Sequence, residues 1–101
     1  MDIQFLEEAR RELGEAVDFY VSRDLRVARR FTARIRQTLD RAVRFPYCGL
    51  ALRGDLRRLI IPGFPYGLLY RVRDNSLQIA ALMHLQQDPE RMRQVDDRGR
   101  D

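Results

Sequence analysis

The chain has 101 residues, 45% hydrophobic and 34% charged, with a net charge of +4, which fits one folded domain over residues 1–101. A single cysteine, Cys48, excludes an internal disulfide and a CxxC metal site. No apolar run approaches the ~20 residues of a spanning helix and no signal-peptide core is visible, so we expect a cytoplasmic protein.

The first half of the sequence predicts a short strand and two helices. Apolar and polar residues alternate over 2–5, which is typical of a strand, and apolar residues then recur at helical spacing over 7–21. Asp24 is a predicted N-cap for a second helix that runs to about Arg44, since Pro46 disfavours helix in the residue before it. Because the link between the helices is short, we expect an antiparallel helical hairpin.

The second half predicts three consecutive strands. A turn and then a loop over 45–55 precede the first strand, Arg57 to Ile61. The next two strands, Gly67 to Arg73 and Leu77 to His84, flank a tight turn at Asp74-Asn75-Ser76, where Asp and Asn tolerate the left-handed conformation. Strands joined by such short connections are antiparallel neighbours.

A short final helix follows the predicted strands. Asp88 fits its N-cap and Pro89 its first position, the helix extends to about residue 96, and residues 97–101 are expected to fray. The resulting order, β-α-α-β-β-β-α, predicts an α+β fold. In this fold a small antiparallel sheet packs its apolar face on the helical hairpin.

Positive charge is concentrated in the middle of the chain, and every basic residue is an arginine. Residues 23–73 carry thirteen arginines and three acids, a net charge of +10, whereas residues 1–22 carry −4 and residues 74–101 carry −2. A field of this sign attracts an acidic protein segment or a nucleic-acid backbone, and a solvated arginine-rich helix face produces the same pattern. Carboxylate and phosphate both remain open as partners, because arginine binds each through a bidentate fork.

A series of short motifs runs along nearly the whole chain. They are AxxELxxAxxFY at Ala9 to Tyr20, Ala28 with Phe31, Phe45-Pro46 with Gly49, Arg57-Arg58, Phe64-Pro65-Tyr66 before Leu69-Tyr70-Arg71-Val72, Ile79-Ala80-Ala81 to His84, and Asp88-Pro89. The ordered set resembles the RelE/ParE superfamily of bacterial toxins from type II toxin–antitoxin systems. The resemblance implies a small toxin that a cognate antitoxin neutralises.

Members of this superfamily divide by target. RelE-type members are ribosome-dependent mRNA endonucleases, whereas ParE-type members poison DNA gyrase. The resemblance implies that a RelE-type nuclease would use basic side chains on the sheet and a late tyrosine, but the matching positions here are Gly67, Gln87 and Met92. These departures favour the ParE-like branch, which needs no catalytic constellation, although many ParE-type members also carry an arginine at the position of Gln87.

His84 is the one side chain of a type that changes charge near neutral pH. RNA cleavage requires one group to deprotonate the 2′-hydroxyl and another to protonate the leaving oxygen, and the sheet arginines are poor bases. One histidine without a partner does not readily do both. The nuclease therefore remains the alternative, with His84 as its candidate catalytic residue.

We therefore predict a ParE-like toxin, and the missing nuclease groups favour a protein that is not an enzyme. A RelE-like endonuclease and a detoxified binding module are the alternatives. The predicted partners are an antitoxin with an acidic segment and DNA gyrase, or the ribosome and mRNA under the alternative; operator DNA is reached only through the antitoxin complex. No cofactor, metal or membrane is expected. The predicted contact residues are Arg57, Arg58, Tyr66, Arg71, Arg73 and His84.

Overall fold

The computed structural model of the chain describes residues 1–87 and 89–100, and these form three helices and five strands. In chain order the elements are β1 (Asp2–Phe5), α1 (Glu7–Val21), α2 (Leu25–Arg44), β2 (Leu50–Ala51), β3 (Arg57–Ile60), β4 (Tyr66–Arg73), β5 (Ser76–His84) and α3 (Pro89–Asp97). The predicted α+β class is confirmed. The strand β2 lies in the predicted loop, because two exposed residues carry no alternation that a sequence pattern can show.

The five strands form one sheet in the order β1-β5-β4-β3-β2. Strands β2 to β5 are antiparallel to one another, and Asp74 and Asn75 form the predicted left-handed turn, with φ of 49° and 60°. Strand β1 instead runs parallel to β5, with Ile3 opposite Leu77. The predicted antiparallel sheet therefore comprises β2 to β5, and β1 adds a parallel edge strand, for which the long intervening chain provides the crossover that a parallel pair requires.

Both faces of the sheet are covered. On one face α1 and α2 bury Phe31, Leu68 and Ile79, as predicted for the helical hairpin. On the other face α3 covers a smaller apolar cluster that includes Leu69 and Val95, which the sequence analysis did not anticipate. Covering both faces restricts accessible side chains to the ends and edges of the sheet and to the outer sides of the helices.

A predicted cap starts α2, and hydrogen bonds to α1 hold the segment after α3. Asp24 is the N-cap of α2, and its Oδ1 accepts a backbone N–H at 2.9 Å. The predicted cap Asp88 lies outside the described residues. Near the C-terminal end, the Arg98 guanidinium donates to both carboxylate oxygens of Glu12 at 2.9 Å. Within the described ranges, no helix combines the length and apolar character needed to cross a bilayer.

Candidate functional site

The neighbouring residues Arg57 and Arg58 of β3 point to opposite faces of the sheet, as successive residues of a strand do. The Arg57 guanidinium donates to the backbone carbonyls of Tyr47 and Gly49 at 3.1 and 3.0 Å and lies 5.3 Å from the centre of the Tyr47 ring. These contacts fasten the segment between α2 and β2 to the sheet. Arg57 is therefore already engaged within the chain, and only part of its guanidinium remains for a partner.

Arg71, a predicted contact residue, is buried in an ionic cluster. Its side chain is 0% exposed and donates to Oδ1 of Asp55 at 2.9 Å and to Oδ1 of Asp96 at 3.3 Å. It also donates to Gln78 Oε1 at 3.1 Å and to the backbone carbonyls of Asp96 and Arg98 at 2.9 and 2.8 Å. A buried guanidinium needs such a set, because desolvating an unpaired charge is costly. Arg71, Asp55 and Asp96, here called the Arg71 cluster, join β4 to the loop before β3 and to the end of α3.

Surrounding arginines hold both carboxylates of the Arg71 cluster in the ionised form. The hydrogen bond from Arg100 lowers the pKa of Asp96 below its ordinary value of 3.8, against the opposing effect of burial. Burial by itself would raise the pKa of Asp55, but the hydrogen bond and charge of Arg71, together with Arg73, lower it overall. Arg73 reaches Asp55 Oδ2 at 3.3 Å while 32% of its side chain stays exposed. Arg73 thus extends the cluster toward solvent.

Arg58 is the predicted contact residue whose guanidinium has no partner in residues 1–87 and 89–100. Its Nε is buried without a hydrogen bond. Its aliphatic stem lies across Gly67, where an added Cβ would come within 2.9 Å of Arg58 Cδ. The glycine that departs from the nuclease pattern therefore makes room for this arginine. Arg58 faces a small cavity of about 40 Å³ that His84 and Gln87 also line.

Tyr66 and His84 lie together at one end of the sheet. They are paired across β4 and β5, and their rings meet edge to face with centres 5.4 Å apart. The Tyr66 ring also lies 5.6 Å from Phe31, so that it belongs partly to the core. The surface that they form, here called the Tyr66 cleft, has a volume of about 310 Å³ and is lined by Glu12, Glu15, Ala16, Phe19, Tyr66, Leu82, His84, Gln87 and Arg91.

His84 has no acid–base partner in the part of the chain that the structure describes. Its Nδ1 accepts the backbone N–H of Gln86 at 3.2 Å, which leaves Nε2 to carry the proton of the neutral ring. Glu12 and Glu15 line the same cleft, but no hydrogen bond between described residues joins the His84 ring to a carboxylate, so the structure holds no preformed acid–base pair at this histidine. The described residues also contain no group of three or more His, Cys, Asp or Glu side chains placed to hold a metal ion.

Glu12, which the sequence analysis did not single out as a site residue, attaches the C-terminal segment to α1. Its carboxylate accepts hydrogen bonds from both Arg98 and Arg91, and from the Leu82 backbone N–H at 3.3 Å. The Glu12 side chain is only 11% exposed, so its charge is neutralised within one wall of the Tyr66 cleft. A glutamate inside the AxxELxxA motif was the available signal for this role.

An apolar groove on the outer side of the helical hairpin is a second surface that the sequence analysis did not locate. It has a volume of about 320 Å³ and is lined by Val17, Val21, Leu25, Ala28, Arg29, Thr32, Ala33 and Arg36. Val21 and Leu25 are 49% and 52% exposed, and both lie off the apolar stripes predicted for the core. Apolar side chains that the core does not use indicate an interaction surface. We call this surface the hairpin groove.

Comparison with known proteins agrees with this architecture. A family model described as the ParE toxin of the type II toxin–antitoxin system parDE matches residues 3–89. A solved chain from the chromosomal ParDE toxin–antitoxin system of P. aeruginosa is similar in structure, with a TM-score of 0.71 and 18% sequence identity, covering 83% of this chain and 95% of that chain. At this identity the structural likeness concerns the fold. Comparison with curated protein sequences gives no significant match.

Proposed function

Because the chain belongs to the ParE toxin family of type II toxin–antitoxin systems, we propose that it inhibits DNA gyrase and that a cognate antitoxin neutralises it. The observation that carries the proposal is the family match over residues 3–89, which includes the complete hairpin and extends past β5. ParE-type toxins poison gyrase, and the proposal assigns the same action to this chain.

The chemistry of the Tyr66 cleft supports this action over mRNA cleavage. Within the described residues His84 has no carboxylate partner, and its Nδ1 is engaged by the Gln86 backbone. The stem of Arg58 lies across Gly67, where a nuclease of this superfamily would have a basic side chain. The Tyr66 cleft offers aromatic rings, the amide of Gln87 and the exposed carboxylate of Glu15, which suit the binding of a protein surface.

The hairpin groove is the proposed binding site of the antitoxin. The exposed side chains of Val21 and Leu25 would receive the apolar face of an amphipathic antitoxin helix. Arg29 and Arg36 line the same groove and form no ion pair with residues 1–87 or 89–100, so carboxylates of the acidic antitoxin segment can pair with them. The apolar contacts supply affinity, and the two arginines set the orientation.

Purified protein should inhibit DNA supercoiling by gyrase and should leave mRNA on translating ribosomes intact. The variant His84→Ala, with circular dichroism as the check on folding, separates the two activities. Since gyrase inhibition needs no proton transfer by His84, this variant should retain toxicity. Ribosome-dependent mRNA cleavage that is lost in folded His84→Ala would show the endonuclease instead. Harmless expression of the wild-type chain without any antitoxin would indicate a detoxified binding module.

A charged side chain placed in the apolar part of the hairpin groove tests whether the antitoxin binds there. We expect Leu25→Glu to abolish co-purification with the protein encoded by the neighbouring reading frame and to leave gyrase inhibition intact. Leu50→Glu is the matched control, because Leu50 is 58% exposed at the far edge of the sheet, against 52% for Leu25. Equal loss of co-purification in both variants, or in neither, would show that the antitoxin binds elsewhere.

A further inference from the structure

Five arginines form a straight row along the outer face of α2. Arg26, Arg30, Arg34, Arg41 and Arg44 are all exposed and follow the helical repeat at i, i+4, i+8, i+15 and i+18. At about 100° per residue they lie within about 80° of one another, with Gln37 filling the interval between the third and fourth. We call these five residues the arginine row. Its centre lies about 120° around the helix from the buried stripe of α2, and Ala33 is the residue of the hairpin groove that borders it.

Contacts within the chain do not account for the arginine row. Arg26 pairs with Asp24 at 3.6 Å, but the two side chains are 89% and 40% exposed, so the pair is weak. The other four arginines of the row form no ion pair with residues 1–87 or 89–100, and Asp40 is the only acid on α2. Like charges at i and i+4, as at Arg26, Arg30 and Arg34, destabilise a helix by about 0.2–0.5 kcal/mol per pair. The helix therefore carries a repulsion that its own fold does not relieve.

We propose that the arginine row binds the phosphate backbone of double-stranded DNA. With a rise of 1.5 Å per residue, the row is about 27 Å long, and its first three arginines are about 6 Å apart along the helix axis. One DNA strand presents a phosphate about every 3.4 Å of duplex length. Since one turn of the duplex is about 34–36 Å long, the row spans most of a turn, and its arginines can reach phosphates of both strands on one side of the duplex. Arginine is suited to the contact, because its planar fork binds phosphate with two hydrogen bonds.

The composition of the surface favours duplex DNA over other polyanions. No aromatic side chain lies on the exposed face of α2, whereas proteins that bind single strands stack bases on aromatic rings. Recognition of double-stranded RNA adds contacts to 2′-hydroxyls, which both donate and accept hydrogen bonds. Arginine can only donate, and Gln37 is the one neutral side chain between the arginines of the row that can also accept. An acidic antitoxin segment finds large exposed apolar side chains beside arginines in the hairpin groove, whereas none lies between the arginines of the arginine row. The row is thus a separate, purely electrostatic surface that contacts DNA independently of base sequence.

Fluorescence anisotropy with a labelled 20-base-pair duplex tests the proposal directly. If all five arginines contact phosphates, the logarithm of the association constant should fall with the logarithm of salt concentration with a slope of about −4.5. The double variant Arg30→Gln/Arg34→Gln should reduce the slope by about 1.8 and weaken binding about 60-fold at 0.1 M salt. Glutamine keeps the helix propensity of arginine, so circular dichroism should be unchanged.

The matched control is Arg29→Gln/Arg36→Gln, which removes the same charge from the rim of the hairpin groove on the same helix. Retention of affinity and slope in the control, with loss in the row variant, supports the proposal. If both variants lose the same affinity and slope, net charge alone explains the binding, and the proposal is overturned. Tighter binding of single-stranded DNA or of an RNA duplex would overturn it as well, as would a wild-type chain that binds a poly-glutamate peptide through the row but not DNA. Since the assay contains no gyrase, its result is independent of the proposed toxin activity.

Discussion

Replacing Arg71 by glutamine should lower the free energy of unfolding, and its effect should not be confined to partner binding. Arg71 is fully buried, and its guanidinium makes five hydrogen bonds, to Asp55, Gln78, two acceptors of Asp96, and the carbonyl of Arg98. Glutamine lacks the charge and most of these donors. The variant would leave the Arg98 carbonyl and the Asp55 carboxylate without their strongest partner and would loosen the segment that follows α3.

The expected loss is about 3–5 kcal/mol, which is the usual cost of removing one partner from a buried ion pair. The lower end applies here, because Asp96 keeps its ion pairs with Arg53 at 3.2 Å and with Arg100 at 2.9 Å. Asp55 is 44% exposed and can be solvated in part. A domain of this length has a total stability of roughly 5–15 kcal/mol. A loss of about 3 kcal/mol would lower the melting temperature by roughly 12 °C or more.

Urea unfolding followed by circular dichroism measures this difference, with Arg73→Gln as the matched control. Arg73 also pairs with Asp55, at 3.3 Å, but 32% of its side chain is exposed. We therefore expect Arg73→Gln to cost about 0–1 kcal/mol, since partly exposed ion pairs contribute little. Limited proteolysis should also cut Arg71→Gln, but not Arg73→Gln, near residues 96–100.

A free energy of unfolding for Arg71→Gln within about 1 kcal/mol of the Arg73→Gln value would refute the structural role of the Arg71 cluster. Loss of toxicity in such a stable variant would restore Arg71 as a contact residue, as the sequence pattern predicts. The comparison therefore decides between the two roles with a readout that does not depend on the target.

Acid should destabilise the chain, because the pKa values of Asp55 and Asp96 lie below 3.8 in the folded state. The stability that these two carboxylates contribute is fully present above about pH 5 and is lost as the pH falls through their folded-state pKa values. Asp96→Asn should therefore flatten this part of a curve of unfolding free energy against pH. Tyr70→Phe should cost about 1–3 kcal/mol in urea unfolding, because its buried hydroxyl donates to a backbone carbonyl at 2.8 Å and accepts the Gly49 N–H at 3.1 Å; an unchanged midpoint would contradict this. Gly14→Ala should raise the free energy of unfolding by about 0.5–1 kcal/mol, since Gly14 lies inside α1 and an added Cβ meets nothing within 4 Å. A melting temperature lower than that of the wild-type chain would contradict this prediction.

Much of the fold was predictable from local patterns. The apolar stripes defined the two helices of the hairpin to within a residue, and Asp24 marked the start of α2 because an N-cap needs only its own first turn. Asp74 and Asn75 likewise marked the turn between β4 and β5. The parallel pairing of β1 with β5 was not predictable in this way, because it joins residues that are more than 70 positions apart.

The candidate site was less predictable than the fold. The sequence does not distinguish the four arginines of β3 and β4, yet the structure gives each a different environment: these are Arg57, Arg58, Arg71 and Arg73. Tyr66 and His84 were expected at one surface, and the strand pairing does bring their rings together. The hairpin groove was missed, because its exposed apolar residues only become conspicuous once the core is known.

The sequence by itself determined the order of elements, the family resemblance and the concentration of arginine in the middle of the chain, since these depend on spacing and composition alone. Only the tertiary structure decided which arginines are available to a partner. Arg71 is buried because Asp55 and Asp96, from distant parts of the chain, converge on it, whereas the arginine row stays exposed because α2 buries a different side of the helix. The physical reason is that a charge is buried only where the fold brings counter-charges to it, and that convergence is a property of the folded chain.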